Sequence, residues 1–308
     1  MSQETIERSF ETGTPAQLKL GNIRGQIDIR AGESGVILVT AVKHLNSGNS
    51  DLTQVVIEQD DSGKVTIKTE YPNSVNNWFG LNKPCKVDYS VQVPPECHMK
   101  VSGVSCNITV QGVQGEIEIH SVSGGLTLEE LSGDLKAKTV SGALKADRLA
   151  GELDANTVSG SIRVAASQIS TANFNTVSGG MVLESPLGDG PYTFKSVSGG
   201  ATLVVPADTA CSARFHSVSG RMRTSLPITK DKRRGARGEM EIQGGGPEVY
   251  HHCVSGSFKI VTSENEPIRE EHHTPPVTAA QPKDQMNILK QIEAGEITVE
   301  EALKELNA

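Results

Sequence analysis

The chain has 308 residues, with 29 Lys and Arg against 37 Asp and Glu, a formal charge of −8; it therefore lacks the basic excess of a non-specific nucleic-acid binder. No stretch approaches the roughly 18 apolar residues that a membrane-spanning helix needs, and the longest β-like apolar run, Val36 to Val39, has four. With 31 Gly but only six Phe, four Tyr and one Trp, a core must be built from small aliphatic side chains, which favours a thin, repetitive interior.

The first ten residues, MSQETIERSF, are polar and charged with no apolar h-region, so no secretory signal peptide is visible and a cytoplasmic location is expected. Residues 14–70 alternate with strand spacing: Leu18 and Leu20, then Ile23, Gly25, Ile27 and Ile29, then Val36 and Leu38, Val55 and Ile57, Val65 and Ile67. They read as the first coils of a repeat or as a capping sheet. The segment from Tyr71 to Pro84 breaks the pattern and holds the single Trp. Trp78 and Phe79 in it are the candidates for exposed binding residues; the alternative is that they plug the end of the core. Val87 to Val93 is a further strand, stopped by Pro94 and Pro95.

From Val101 onward a repeat dominates the chain. Val-Ser-Gly occurs eight times, starting at Val101, Val122, Val140, Val158, Val177, Val197, Val218 and Val254, with steps near 18 residues and a last step of two units. A half-period of nine lies inside it. Val113, Val122, Leu131, Val140, Leu149 and Val158 are each followed two residues later by Gly. Two further on stand Ile117, Leu126, Leu135, Leu144, Leu153 and Ile162, and two beyond those Ile119, Leu128, Ala137, Ala146, Ala155 and Val164.

Within each unit the apolar period is two, as in a strand, while the odd step between units requires a corner. Two nine-residue units then close one coil of about 18 residues. The expected fold class is all-β, a parallel β-solenoid. A single coil cannot cover both ends of its own core, so stability must come from stacking on neighbours. The inward-parity Gly either bends the strand beside the corner or leaves room for the opposite sheet. Ile228 to Gly238 reads as a loop inserted into a coil, and Val254 to Ile260 as the last coil.

Together, Ile23 to Arg30, Val87 to Pro94, the Val-Ser-Gly units and Gly244-Gly-Gly-Pro-Glu-Val249 before the last unit resemble the bacterial "putative adhesin", β-strand-repeat domain of unknown function, over about residues 10–262. The resemblance implies a β-solenoid-like fold, no known catalytic residues and no defined ligand.

Three domains are expected: a solenoid over 1–262 (irregular coils or cap at 14–95, Val-Ser-Gly coils at 96–262), a linker over 263–283, and a helical hairpin over 284–308. The linker contains Pro267, Pro275, Pro276 and Pro282 without apolar periodicity and reads as disordered. The closing segment changes period. Ile288, Leu289 and Ile292 form one helical stripe that Gly295 ends; Thr298 with Glu301 makes a capping box, and Leu303 and Leu306 lie on the second helix. It resembles a SHOCT-type short C-terminal domain. Two helices of about ten residues are marginal alone, which points to protein binding or self-association through 284–308. The chain from Ser263 onward holds ten acidic and four basic residues, so the body is close to neutral.

Candidate chemistry is scarce, and no cofactor or metal is expected. Five Cys (Cys85, Cys97, Cys106, Cys211, Cys253) contain no C-x-x-C pair and are read as reduced thiols, with a Cys97–Cys106 bridge as the alternative. His251-His252-Cys253 invites a metal reading, but consecutive strand residues point to opposite faces and cannot share one ion while extended. The residue after each repeat Gly varies (Glu116, Gly125, Asp134, Ala143, Glu152, Ser161), so no calcium-ligand column exists. Ser123, Ser141, Ser159, Ser178, Ser198 and Ser219 should stack beside Ser121, Thr139, Thr157, Thr176, Ser196 and Ser217, either satisfying corner backbone groups or forming a flat polar surface. Lys232, Arg233, Arg234 and Arg237 form a basic run read as a solvated loop, with contact to an anionic surface as the alternative.

The sequence thus describes a non-enzymatic cytoplasmic scaffold or binding protein. The second reading is an envelope- or surface-associated adhesin-like protein that binds a glycan or a partner protein. A glycan-active enzyme comes third, because Asp and Glu do not line up in a column.

Overall fold

The computed structural model describes residues 2–71, 83–235 and 237–263. They form 23 strands and one 3-10 turn, Leu45–Ser47. Two compact units divide the chain, Met1–Thr139 with Leu144–Glu152, and Val140–Ala143 with Leu153–Ala308.

The first unit contains β1 (Gln3–Glu11), β2 (Ala16–Ala31), β3 (Val36–His44), β4 (Gln54–Gln59), β5 (Val65–Glu70), β6 (Lys86–Val93) and β7 (Cys97–Gln111). The repeat begins with β8 (Gln114–Ser123), β9 (Leu126–Glu129), β10 (Ser132–Ser141) and β11 (Leu144–Asp147). Stacking is parallel, with an offset of one 18-residue coil: Met99 stands opposite Ile117, and Ile108 and Leu144 opposite Leu126. Alternation buries Ile117, Leu126, Leu135, Leu144, Ile119, Leu128, Ala137 and Ala146. Ser105, not Ser102, pairs with Ser123, so Val101-Ser102-Gly103 is out of phase and Cys106 occupies the column of Gly124. The 21-residue first step is a coil plus a three-residue slip.

β2 is not at the edge of its unit. Its whole length pairs in parallel with β7, while its other edge pairs first with β5 and then with β6. The chain leaves the stack after β2, builds an outer coil, and returns as β7 on β2's opposite side. Antiparallel strands finish this end: β3 on β6, β1 on β3, and β4 on β5.

The second unit continues with β12 (Ala150–Ser159), β13 (Ile162–Ala165), β14 (Gln168–Ser178), β15 (Met181–Glu184), β16 (Tyr192–Ser198) and β17 (Ala201–Val205). After these come β18 (Cys211–Ser219), β19 (Met222–Thr224), β20 (Ile228–Asp231), β21 (Arg237–Ile242), β22 (Glu248–Ser255) and β23 (Phe258–Thr262). Here too a late segment is inserted. β22 lies between β16 and β18, and β23 between β17 and β19, all in parallel. The hairpin β20–β21 closes this end antiparallel to β18.

Several expectations change. The fold class is corrected: the described residues are all-β in a large, mostly parallel arrangement with antiparallel strands at the ends, and they contain no α-helix. The α-hairpin was inferred from local signals only, the apolar period, the Gly295 stop, the Thr298–Glu301 capping box and the SHOCT-type resemblance; residues 284–308, with Ile288, Leu289, Ile292, Leu303 and Leu306, lie outside the described residues, as do Trp78 and Phe79. Residues 228–238 are largely a strand pair rather than a loop, and the Val254 coil is inserted rather than last, because its strands find an unpaired edge on each side. Val218 and Val254 point outward, 75% and 50% exposed, so the Val of the motif is not always a core residue.

The repeat Gly has a third explanation. Gly179 adopts φ +147°, and a Cβ there would lie 1.8 Å from the carbonyl oxygen of Gly160. Coils meet backbone to backbone at this corner, and only a residue without a side chain permits it.

The coil position that Ile119 and Ala137 take in the first unit is filled differently in the second. In the second it takes Ala155, Phe174, Phe194, His251 and Phe215, all buried; the register places Phe174 opposite Phe194, and His251 opposite both Phe194 and Phe215. Phe174 meets Phe194 edge-on at 5.3 Å, and His251 stacks on Phe215 at 5.6 Å and on Phe258 at 5.1 Å.

Candidate functional site

A cleft of about 630 Å³ opens in the first unit, lined by polar groups from β2, β3, β6, β7 and β8. Its geometry begins at Gly25, where φ is +126° and a Cβ would stand 2.2 Å from the carbonyl oxygen of Val87. That close approach lets the Gln26 amide donate to Asp88 Oδ1 at 2.9 Å. Asp88 Oδ2 lies 2.7 Å from His44 Nε2, and His44 Nδ1 lies 3.2 Å from Gln3 Nε2. Arg24 donates to the carbonyls of Ser47 and Pro84, and the Ser47 hydroxyl donates to His44 O while accepting from the Lys86 amide. Asn107 accepts from the Gly125 amide at 2.9 Å.

A carboxylate, a histidine, four serines and a thiol in one cleft invite comparison with a nucleophilic triad. The geometry does not assemble one. Both His44 ring nitrogens are engaged, by Asp88 and Gln3, and among the described residues the one side-chain bond between His44 and a cleft serine is the Ser47 hydroxyl donating to the His44 carbonyl, not to its ring. Burial pushes the Cys106 thiol up to about 12, and its Sγ lies 3.5 Å from Asn22 O. A protonated thiol of this kind is a core residue rather than a nucleophile. What the cleft can do is hydrogen-bond: Gln26, Asn46, Ser105, Asn107 and Ser123 bring amide and hydroxyl groups to it, and Lys86 brings an ammonium.

The residues singled out by sequence are dispersed. All five cysteines are free and buried, Cys97 and Cys106 included; burial also pushes Cys97 up to about 12 and Cys211 up to about 11. Strand alternation separates the histidine pair, with His251 and Cys253 buried and His252 exposed. Lys232, Arg233, Arg234 and Arg237 lie exposed at the β20–β21 hairpin.

The inner hydroxyl column is buried throughout, but only part of it serves the corners. Ser196 donates to Gly199 O at 2.8 Å and Ser217 to Val254 O at 3.3 Å, whereas the hydroxyls of Ser121, Thr139, Thr157 and Thr176 reach no hydrogen-bond partner. The outer column, from Ser123 to Ser219, is exposed. The cleft residues Arg24, His44, Lys86, Asp88 and Asn107 were missed because they are brought together from positions up to 83 apart and share no local motif.

No curated protein matches the chain. Similar solved structures include a "putative adhesin" from Bacteroides fragilis, 14% identical over 85% of this chain and 98% of that one, with a TM-score of 0.37. A "putative adhesin" from Parabacteroides merdae is 15% identical over 84% and 95%, TM-score 0.37. A "putative lipid binding protein" from Parabacteroides distasonis is 14% identical over 84% and 96%, TM-score 0.37. The family model described as Toastrack DUF4097 matches residues 17–261, most of the chain, and the protein belongs to that family.

Proposed function

We propose that this protein is a non-enzymatic, adhesin-like binding protein whose first-unit cleft takes a hydroxyl-rich ligand of the glycan type. The observation that carries this reading is Asn107. The Gly125 amide must be bonded by its side-chain oxygen, which leaves the NH₂ as a donor at the cleft. Gln26, Asn46 and two serines supply further groups that can both donate and accept, the pattern a hydroxyl-rich ligand needs.

Asn107→Asp tests it, because a carboxylate keeps the acceptor for Gly125 and removes the donor. Screening on a glycan array followed by calorimetry on the best binder should show affinity falling about five- to tenfold, one lost hydrogen bond, at an unchanged thermal midpoint. A wild-type protein that binds no glycan on the array, or a variant that binds equally well, overturns the reading. A cytoplasmic location is part of the proposal, and it is supported by five free thiols of the kind a reducing compartment preserves. Cell fractionation that recovers the protein with the envelope would remove that part.

A further inference from the structure

A second cavity, of about 650 Å³, lies in the second unit between the β18–β19 corner and the β20–β21 hairpin. Its wall carries four guanidinium groups, Arg221, Arg223, Arg233 and Arg237, against one carboxylate, Asp231, over a floor that includes Phe215 and Met222. Arg221 and Arg223 come from a different segment than the basic run at the hairpin. Alternation turns Met222 inward and leaves both arginines exposed.

The carboxylate is already committed. Arg233 Nη2 pairs with Asp231 at 2.5 Å, its Nε lies 2.9 Å from the same group, and its Nη1 donates to Met222 O at 2.9 Å, tying the hairpin to β19. Lys230 is neutralised by Glu241 at 2.8 Å. Arg221, Arg223 and Arg237 form no ion pair among the described residues. Three unpaired cations around one concavity repel each other, in a chain whose net charge is negative. A bound anion relieves that repulsion, and the forked guanidinium donors suit phosphate oxygens.

We propose that this cavity binds a phosphate-bearing ligand, with Arg221, Arg223 and Arg237 contacting the phosphate and Arg233 positioning the hairpin. The site shares no residue with the first-unit cleft, and its test does not depend on glycan binding. The cavity has room for a phosphate carried on a larger body or for several phosphates together.

The experiment uses the full chain with two probes, inorganic tripolyphosphate by calorimetry and vesicles of equimolar phosphatidylglycerol and phosphatidylcholine by co-sedimentation. The variants are Arg221→Gln/Arg223→Gln, Arg237→Gln, and Lys232→Gln as a control on the same hairpin that does not line the cavity. Binding should weaken about tenfold or more in the double variant and less than about twofold in the control. Binding of tripolyphosphate marks a soluble ligand; binding of vesicles alone, with the same variant pattern, marks a lipid headgroup. No binding of either probe, or equal losses in the control and the double variant, overturns the proposal. Thermal midpoints of the variants should not fall below the wild type, since the altered side chains are exposed, and should rise slightly in the double variant, which removes two of the mutually repelling charges.

Discussion

The two units solve the same packing problem with different side chains. In the first, the slot along the stack is filled by Val101, Ile119 and Ala137, on coils offset by 18 residues. In the second, from Phe174 to Phe194, the coil grows to 20 residues and the slot takes aromatic rings. The extra residues are held by Tyr192, whose hydroxyl donates to Ile169 O and accepts from the Gly188 amide, both at 2.6 Å. A protein interior must be filled to close-packed density, so a longer coil and a larger side chain arrive together. Small side chains give a narrow, uniform stack; rings give a wider one that can also house a histidine.

The comparison can be broken most forcefully in the narrow stack. Leu135→Asp places a charge where no space or partner exists, and should cost about 3–5 kcal/mol. Because coils depend on their neighbours, hydrogen exchange should show lost protection in β8 as well as in β10. Loss confined to β10 would mean that the coils are stable individually.

The wider stack has a weakness that the narrow one lacks. Burial lowers the pKa of His251 to about 4, with the neighbouring His252 adding to the shift, so the residue is neutral in the folded chain. Between pH 6.5 and about 4 the unfolded chain gains a proton there that the folded chain refuses. Stability therefore falls as the pH falls across that window, by about 3 kcal/mol when complete, and this contribution levels off below pH 4. Urea denaturation at pH 7 and at pH 4.5 should show a smaller difference in His251→Leu than in the wild type. Equal differences would place the titration elsewhere.

The last pair of variants concerns what both units share, the glycine corner, and its control carries the smallest expected effect. Gly179→Ala should cost more than the about 1–3 kcal/mol of its positive φ alone, because its Cβ would also strike the Gly160 carbonyl oxygen, a backbone atom. Its neighbour Gly180 has open space around it, and Gly180→Ala should stay within about 0.5 kcal/mol. Thermal melts of the pair separate backbone approach from a general need for flexibility at the corner.

Legibility in the sequence tracked the range of the interaction. The inward set from Ile117 to Val164 could be read because alternation is local, and a side chain's face is set by its parity. The cleft could not, because Arg24, His44, Asp88 and Asn107 meet only through pairings between β2, β3, β6 and β7. Arg221 and Arg223 sit between these cases. Their spacing of two marks a shared outward face, but nothing local says that a hairpin from 228–242 will fold over it.

By itself the sequence determined the period, the buried parity and the all-β character of the described chain, since these rest on residues within one coil of each other. Tertiary structure alone decided the order of the coils. β2 slides between β6 and β7, and β22 between β16 and β18, because equivalent edges offer the same backbone hydrogen bonds and the periodic pattern cannot distinguish them. Only the closing of each end, with its antiparallel strands, selects one order.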